Sequence, residues 1–300
     1  MGRVHRALAV ECVYSGRPLD EAVAHGRQAV SLLERTEDRF WLSQALYALS
    51  YSCYYSGDFE AALEAAGRLD ALGEAIGSRR ARANATMMAG LSHATRGDWE
   101  AGIKACERAL ELSPDPFETA FVLAVLGKAH VEAGDFGRAI PTLEQAVQLG
   151  DQVRSRQYAA WFRTMLAAAY VLGGQPDKAR EVASQALDVS ADVKYLLGIG
   201  WSHQVLGLAA RTQGALAQAG MHLGEALQAF ASVHSRFEMG RTHFFLASLA
   251  YALGDREPAG THLKEAHSLF VALRVPKYVE RTEHLACEFG FPSFTQMTRL

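Results

Sequence analysis

No stretch of this 300-residue chain approaches about 18 uninterrupted apolar residues, so none of it reads as a membrane-spanning helix. Met1 to Cys12 carries basic residues but neither a long apolar run nor a cleavage-like site, and does not read as a signal peptide. Cysteine is scarce. Cys12, Cys53, Cys106 and Cys287 stand far apart with no Cys-x-x-Cys pair, and read as reduced thiols used as small core residues. That usage fits the cytoplasm. Excess charge is missing too: a formal net charge of −3 provides no bulk attraction to nucleic acid or to a membrane surface. Catalytic signatures are also absent. There is no GxxxxGK[ST] phosphate loop, no GxSxG elbow and no HExxH helix, so no enzyme activity, catalytic residue or cofactor is expected.

What the chain does have is a repeat. Thr119 to Leu149 holds two apolar segments of helical period split by a turn at Gly134 and Asp135. Turn glycines recur at Gly16, Gly57, Gly97, Gly134, Gly174, Gly214 and Gly254, at spacings of 41, 40, 37, 40, 40 and 40. Ser113-Pro-Asp-Pro116 stops a helix sharply and shortens the one odd period. In each first helix a packing residue, such as Leu49, Leu126, Leu166 or Leu206, precedes a small one, such as Ser50, Gly127, Ala167 or Gly207. In each second helix small residues such as Ala62, Ala139, Ala179 and Ala219 keep the same step. Two helices approach within about 8–10 Å only where small side chains meet, so this pattern marks an antiparallel hairpin. Each hairpin leaves an apolar face that only its neighbour can cover, and the array is stable as a stack.

Leu-Gly in the first helix, Gly at the turn and Ala-x3-Leu-x2-Ala in the second resemble the tetratricopeptide repeat (TPR). The resemblance implies an all-α, right-handed α-solenoid of about seven helical hairpins with a C-terminal capping helix. Its expected layout is a single solenoid over residues 1–290, with repeats at about 3–34, 38–76, 79–112, 117–149, 157–189, 196–233 and 237–273. A capping helix at 277–289 and a flexible tail at 291–300 complete it. The period of 40 exceeds the usual TPR length of about 34. In that respect the chain resembles the TPR tails of bacterial multidomain signalling ATPases and adenylate cyclases, and those of ATP-dependent transcription activators. Solenoids normally end in polar caps, and the first repeat starts with little room for one. A longer ancestral protein, or a homodimer through the apolar N-terminal end, is the expectation that follows.

In TPR proteins the first helices line a concave groove. Carried over residue by residue, the resemblance puts Gln44, Tyr47, Tyr51, Tyr54, Asn84, Met87, Phe121, Lys128, Trp161, Trp201, Gln204, Arg241 and Phe244 on that face. Thr164 falls beside them. Aromatics and arginine are what binding hot spots favour. The groove implies a protein or peptide partner, laid along it as an extended segment or a helix, with Lys128 and Arg241 able to hold a carboxylate. The alternative is a regulatory or sensor arm that answers to a small molecule or a partner.

Other clusters have plainer explanations. His222 with Glu225, and His262 with Glu265, sit three residues apart as metal ligands would, but repeat descent accounts for both. His203 and His243 share another repeat position and read as packing histidines. Arg79, Arg80 and Arg82 lack the interleaved aromatics of a nucleic-acid surface. No metal, nucleic acid or membrane partner is expected.

Overall fold

The computed structural model describes residues 1–113, 115–152 and 155–294, which form fifteen helices and no strand. Seven hairpins follow one another: α1 (Gly2–Tyr14) with α2 (Leu19–Glu34), α3 (Arg39–Ser56) with α4 (Phe59–Ala75), and α5 (Arg79–Arg96) with α6 (Trp99–Leu112). Next come α7 (Pro116–Glu132) with α8 (Phe136–Gly150), and α9 (Arg156–Leu172) with α10 (Pro176–Asp192). The last two are α11 (Leu196–Thr212) with α12 (Leu216–Ser232), and α13 (Arg236–Leu253) with α14 (Arg256–Ala272). A final helix, α15 (Pro276–Glu288), packs on α14. Of the expected tail, Phe291 bonds back to the Ala286 carbonyl and lies under the Arg256 guanidinium; residues 295–300 lie outside the described residues. Pro114 of the expected helix stop lies outside them too, but Asp115 next to it caps α7, its side chain accepting from the Glu118 N–H at 3.0 Å.

The hairpin turns follow from their residues. Gly57 takes φ 90°, the left-handed conformation that ends a helix, and Asp58 caps the next by accepting from the Ala61 N–H at 3.1 Å. Gly134 and Asp135 repeat the device, with Asp135 accepting from the Arg138 N–H at 3.1 Å.

The superhelix closes on itself. One turn takes five hairpins, so α1 meets α11, α3 meets α13 and α5 meets α15. Polar contacts stitch this seam: the Leu19 N–H donates to the Val233 carbonyl at 3.0 Å, Asp20 faces His234 at 3.1 Å, and Arg274 donates to Glu60 at 2.7 Å. The concave side is therefore interior. One continuous core runs from Cys12 to Tyr278. Cys12, Cys53 and Cys106 are buried in it, and burial pushes the Cys53 and Cys106 thiols up to about 12. They pack as small apolar groups.

Closure distinguishes turn glycines that the repeat makes equivalent. A Cβ on Gly97 would lie 2.4 Å from the Lys277 Cβ, whereas one on Gly214 would meet nothing within 4 Å; both residues have positive φ. Gly214→Ala is expected to cost about 1–2 kcal/mol through backbone strain alone. Gly97→Ala is expected to add about 1–3 kcal/mol of overpacking at the seam. Urea denaturation of both variants checks this; equal losses would show that the seam yields freely.

Candidate functional site

Five first helices project polar side chains toward the superhelix axis and leave a cavity of about 60 Å³ between them. Helical spacing brings each set together. From α7 come Lys128, Val131 and Glu132; from α9, Trp161, Thr164, Met165 and Ala168; from α11, Trp201, Gln204 and Val205. From α13 come Glu238 and Arg241, and from α3, Tyr54 and Tyr55. Trp161, Trp201 and Arg241 occupy one repeat position, 40 residues apart, so the repeat itself aims them at one point.

The polar wall is a buried charge network. Lys128 donates to Glu132 at 3.1 Å, and Arg241 donates to Glu238 at 3.1 Å. Side-chain exposures are 13% and 4% for the first pair, and 12% and 8% for the second. Glu132 also accepts from the Tyr278 hydroxyl at 3.0 Å and lies 3.7 Å from Arg281, both on α15 across the seam. Burial alone would lower Lys128, but the Tyr54 phenol and the Glu132 carboxylate outweigh it and hold the ammonium charged. Burial alone would raise Glu132, but Lys128, Arg241 and Arg281 hold its carboxyl below the usual range. Arg241 is likewise held charged against burial, by Glu238 above all. Tyr54 bonds Thr95 at 3.0 Å, and Gln204 donates to Thr242 at 3.0 Å.

Of the thirteen residues expected to line a groove, six meet here: Tyr54, Lys128, Trp161, Trp201, Gln204 and Arg241. Thr164 joins them. The other seven lie elsewhere. Tyr47 and Tyr51 enter a tyrosine cluster with Tyr14, Tyr55, Tyr158 and Tyr195, in which Tyr14 bonds Tyr51 and packs 5.3 Å from Tyr195. Gln44 accepts from Arg6 at 3.4 Å. Asn84 and Met87 are buried. Phe121 packs against Tyr158 and Phe162, and Phe244 is half-buried beside Phe245. An open groove gives way to a filled interior because the superhelix completes a turn in five hairpins and brings first helices one turn apart into contact. Sequence reading passed over Glu132 and Glu238, although each stands one helical turn from a residue it did choose, Lys128 and Arg241. It had no means of finding Tyr278 and Arg281, which arrive from across the seam.

Profiles described as tetratricopeptide repeat match residues 82–152 in one form, and residues 47–115 and 125–192 in another. Residues 47–192 belong to the tetratricopeptide repeat family. Solved structures share the TPR architecture at low identity. A Rap protein complexed with Competence and Sporulation Factor superposes with a TM-score of 0.69 at 13% identity, covering 95% of this chain and 81% of that one. NprR in complex with its cognate peptide NprX gives 0.66 at 12%, covering 95% and 82%. A thermophilic TPR protein of Thermus thermophilus gives 0.52 at 20%, covering 72% and 100%. No curated protein matches the TPR chain by sequence.

The histidines form pairs that the sequence did not announce. His5 and His25, His203 and His222, and His243 and His262 each place their Nδ1 atoms 3.0 Å apart, joining the two helices of repeats one, six and seven. One ring of each pair donates and the other accepts, so double protonation breaks the bond. Burial lowers His203 and His222, with the partner His222 adding to it at His203 while Glu225 opposes it at both. Burial and His262 bring His243 down to about 4, and burial lowers His262 against Glu265. Groups held low in the folded state contribute stability above the unfolded value of about 6.5, lost as pH falls toward 4. Glu118, whose carboxyl burial pushes up to about 7, acts in the opposite sense, so a relative measurement is needed. Between pH 6.5 and 4 the melting temperature of the wild type is expected to fall more steeply than that of a His203→Gln, His243→Gln double variant. Parallel profiles would remove the pairs as the cause.

Among the described residues no group of three or more His, Cys, Asp or Glu side chains is placed to hold a metal, and no helix is long and apolar enough to cross a membrane. The arginine cluster is engaged within the chain. Arg79 donates to the Glu111 carbonyl at 2.9 Å, Arg80 pairs with Glu118 at 3.2 Å, and Arg82 pairs with Asp70 at 3.2 Å.

Proposed function

We propose that the chain is a non-enzymatic protein–protein interaction module, and that the cavity inside its superhelix receives part of a protein or peptide partner. The observation that carries this is a cavity at the superhelix centre that combines a buried charge network with aromatic walls. Burying four charges for stability alone is a poor bargain, because well-packed apolar residues serve as well or better. Binding sites, by contrast, are clefts of apolar and aromatic side chains with a few convergent polar groups. Support also comes from chains of the same architecture, one complexed with Competence and Sporulation Factor and one with its cognate peptide NprX. A regulatory arm of a larger signalling ATPase, cyclase or transcription regulator is the second reading; the 40-residue period favours it.

Trp161→Ala with Trp201→Ala tests the site. Retention of a randomised peptide pool on the immobilised protein is expected to be lost in this double variant and kept in Phe40→Ala, which alters an exposed ring outside the cavity lining. Equal retention by all three proteins would rule out the interior as the binding site.

A further inference from the structure

The three histidine pairs stand at one position of the repeat, and each joins the two helices of its hairpin with Nδ1 atoms 3.0 Å apart. Descent of one repeat from another explains why the pairs recur, not what two facing nitrogens do. Packing does not call for imidazoles there. In repeats two and four the same positions hold Leu46 with Ala65 and Leu123 with Thr142, and those hairpins form as well. A hydrogen bond is one use of two facing nitrogens, and a shared metal ion is another. Two imidazoles on one tetrahedral ion, each about 2.0–2.1 Å from it, hold their nitrogens about 3.3 Å apart and their ring centres about 5.2 Å apart. The ring centres of the three pairs are 5.1, 5.2 and 5.2 Å apart. The rings therefore already stand at the chelating separation. A tilt that parts the nitrogens from 3.0 Å to about 3.3 Å turns the hydrogen bond into a chelate without moving a helix.

The surroundings suit an ion as well. A metal takes the neutral ring, and burial favours that form at His203, His222, His243 and His262. All four rings are half-buried, so an ion reaches them from solvent. Repeats six and seven also bring a carboxylate near. Glu225 follows His222 by one helical turn and Glu265 follows His262, where repeat one has Gln28. Both carboxylates are exposed, and both oppose the lowering of the neighbouring histidine. Among the described residues no third such side chain is placed to complete a ligand set, so water takes the positions the two nitrogens leave.

We propose that the histidine pairs of repeats six and seven each bind a divalent transition-metal ion through both Nδ1 atoms, and that the ion staples the two helices of its hairpin together. Imidazole nitrogen suits zinc, copper or nickel, whereas magnesium and calcium take oxygen ligands. The pair of repeat one, with no carboxylate one turn away, binds more weakly.

The test uses Zn²⁺ as the probe and Mg²⁺ as the control, on the full chain first dialysed against a chelator. Equilibrium dialysis near neutral pH is expected to show two equivalents of Zn²⁺ bound before a weaker third, and no Mg²⁺. The melting temperature is expected to rise with Zn²⁺ alone. Leucine with alanine is a pair that repeat two already packs, so the variants are His203→Leu with His222→Ala, and His243→Leu with His262→Ala. Each is expected to lose one of the two tighter equivalents, and their combination both. Undiminished stoichiometry in the combined variant would put the zinc elsewhere, such as on the exposed His284 or Cys287, and overturn the proposal. A wild type that retains no Zn²⁺ would overturn it too. A measurement on the wild type alone needs no variant to fold. With nitrogen-labelled histidine, Zn²⁺ is expected to move the Nδ1 resonances of these four rings into the metal-bound range. Movement at Nε2 instead, or at none of the four, would exclude the chelate.

Discussion

Glu132→Ala is expected to destabilise the chain by about 3–5 kcal/mol, the cost of breaking a buried ion pair by removing one partner. The side chain is 4% exposed and holds two turns of the superhelix together. On its own helix it satisfies Lys128 at 3.1 Å, and across the seam it accepts from Tyr278 at 3.0 Å. Its removal leaves the Lys128 ammonium, which is 13% exposed, without a counter-charge, and leaves a buried phenol without an acceptor. Glu132→Gln keeps an acceptor but not the charge, and should fall between. Adding Lys128→Met to Glu132→Ala should restore part of the loss, because it removes the stranded charge. Urea unfolding measures all three. Limited proteolysis adds a positional readout, since the Glu132 carboxylate also ties down α15 through Tyr278 and Arg281 and its loss should expose that helix to cleavage first. A loss below about 1 kcal/mol for Glu132→Ala would mean that water replaces the missing carboxylate and that the network is not buried in practice.

The second large effect is at Phe230, which is fully buried. Phe230→Ala is expected to cost about 3–5 kcal/mol through lost transfer energy and the cavity left behind. What makes this ring particular is its partner. A Cβ on Gly200 would lie 2.5 Å from Phe230 Cε1, so the ring occupies the space where a side chain would be. Gly240 and Phe270, one period later, show the same arrangement at 2.8 Å. Gly200→Ala alone should therefore cost about 1–3 kcal/mol through overpacking. Combined with Phe230→Ala it should cost clearly less than the sum, because the added methyl enters the vacated space. Chemical denaturation of the four-protein cycle checks this. Strict additivity would show that the ring and the glycine do not share that space.

Much of the fold was legible because the repeat is a local code. Gly57 with Asp58 and Gly134 with Asp135 carry their own conformational and capping chemistry, and the structure uses them as a helix end followed by a helix start. The small residues of the hairpins, such as Ala139, Ala179 and Ala219, are fully buried, as close helix packing requires. The candidate site was legible only in part. Repeat position identified Trp161, Trp201 and Arg241, since equivalent residues of stacked hairpins face the same way. It could not separate these from Tyr51 or Phe121, which stand on the same face and are consumed by ring packing within their own helix and against the neighbouring hairpin. Nor could it pair His203 with His222 or His243 with His262, because that needs the rotation of one helix against the next.

By itself the sequence determined the unit: a hairpin of two helices, its glycine turn, its small-residue contact and its sevenfold recurrence. Those features depend on interactions within one repeat or between neighbours, which periodicity records directly. How tightly the stack coils was decided only by the tertiary structure. That curvature accumulates from small rotations at every interface, and no single residue encodes it. Here it brings α1 onto α11 and α15 onto α5. The same closure turns an expected groove into an interior, and joins Glu132 to Tyr278 across 146 residues of chain.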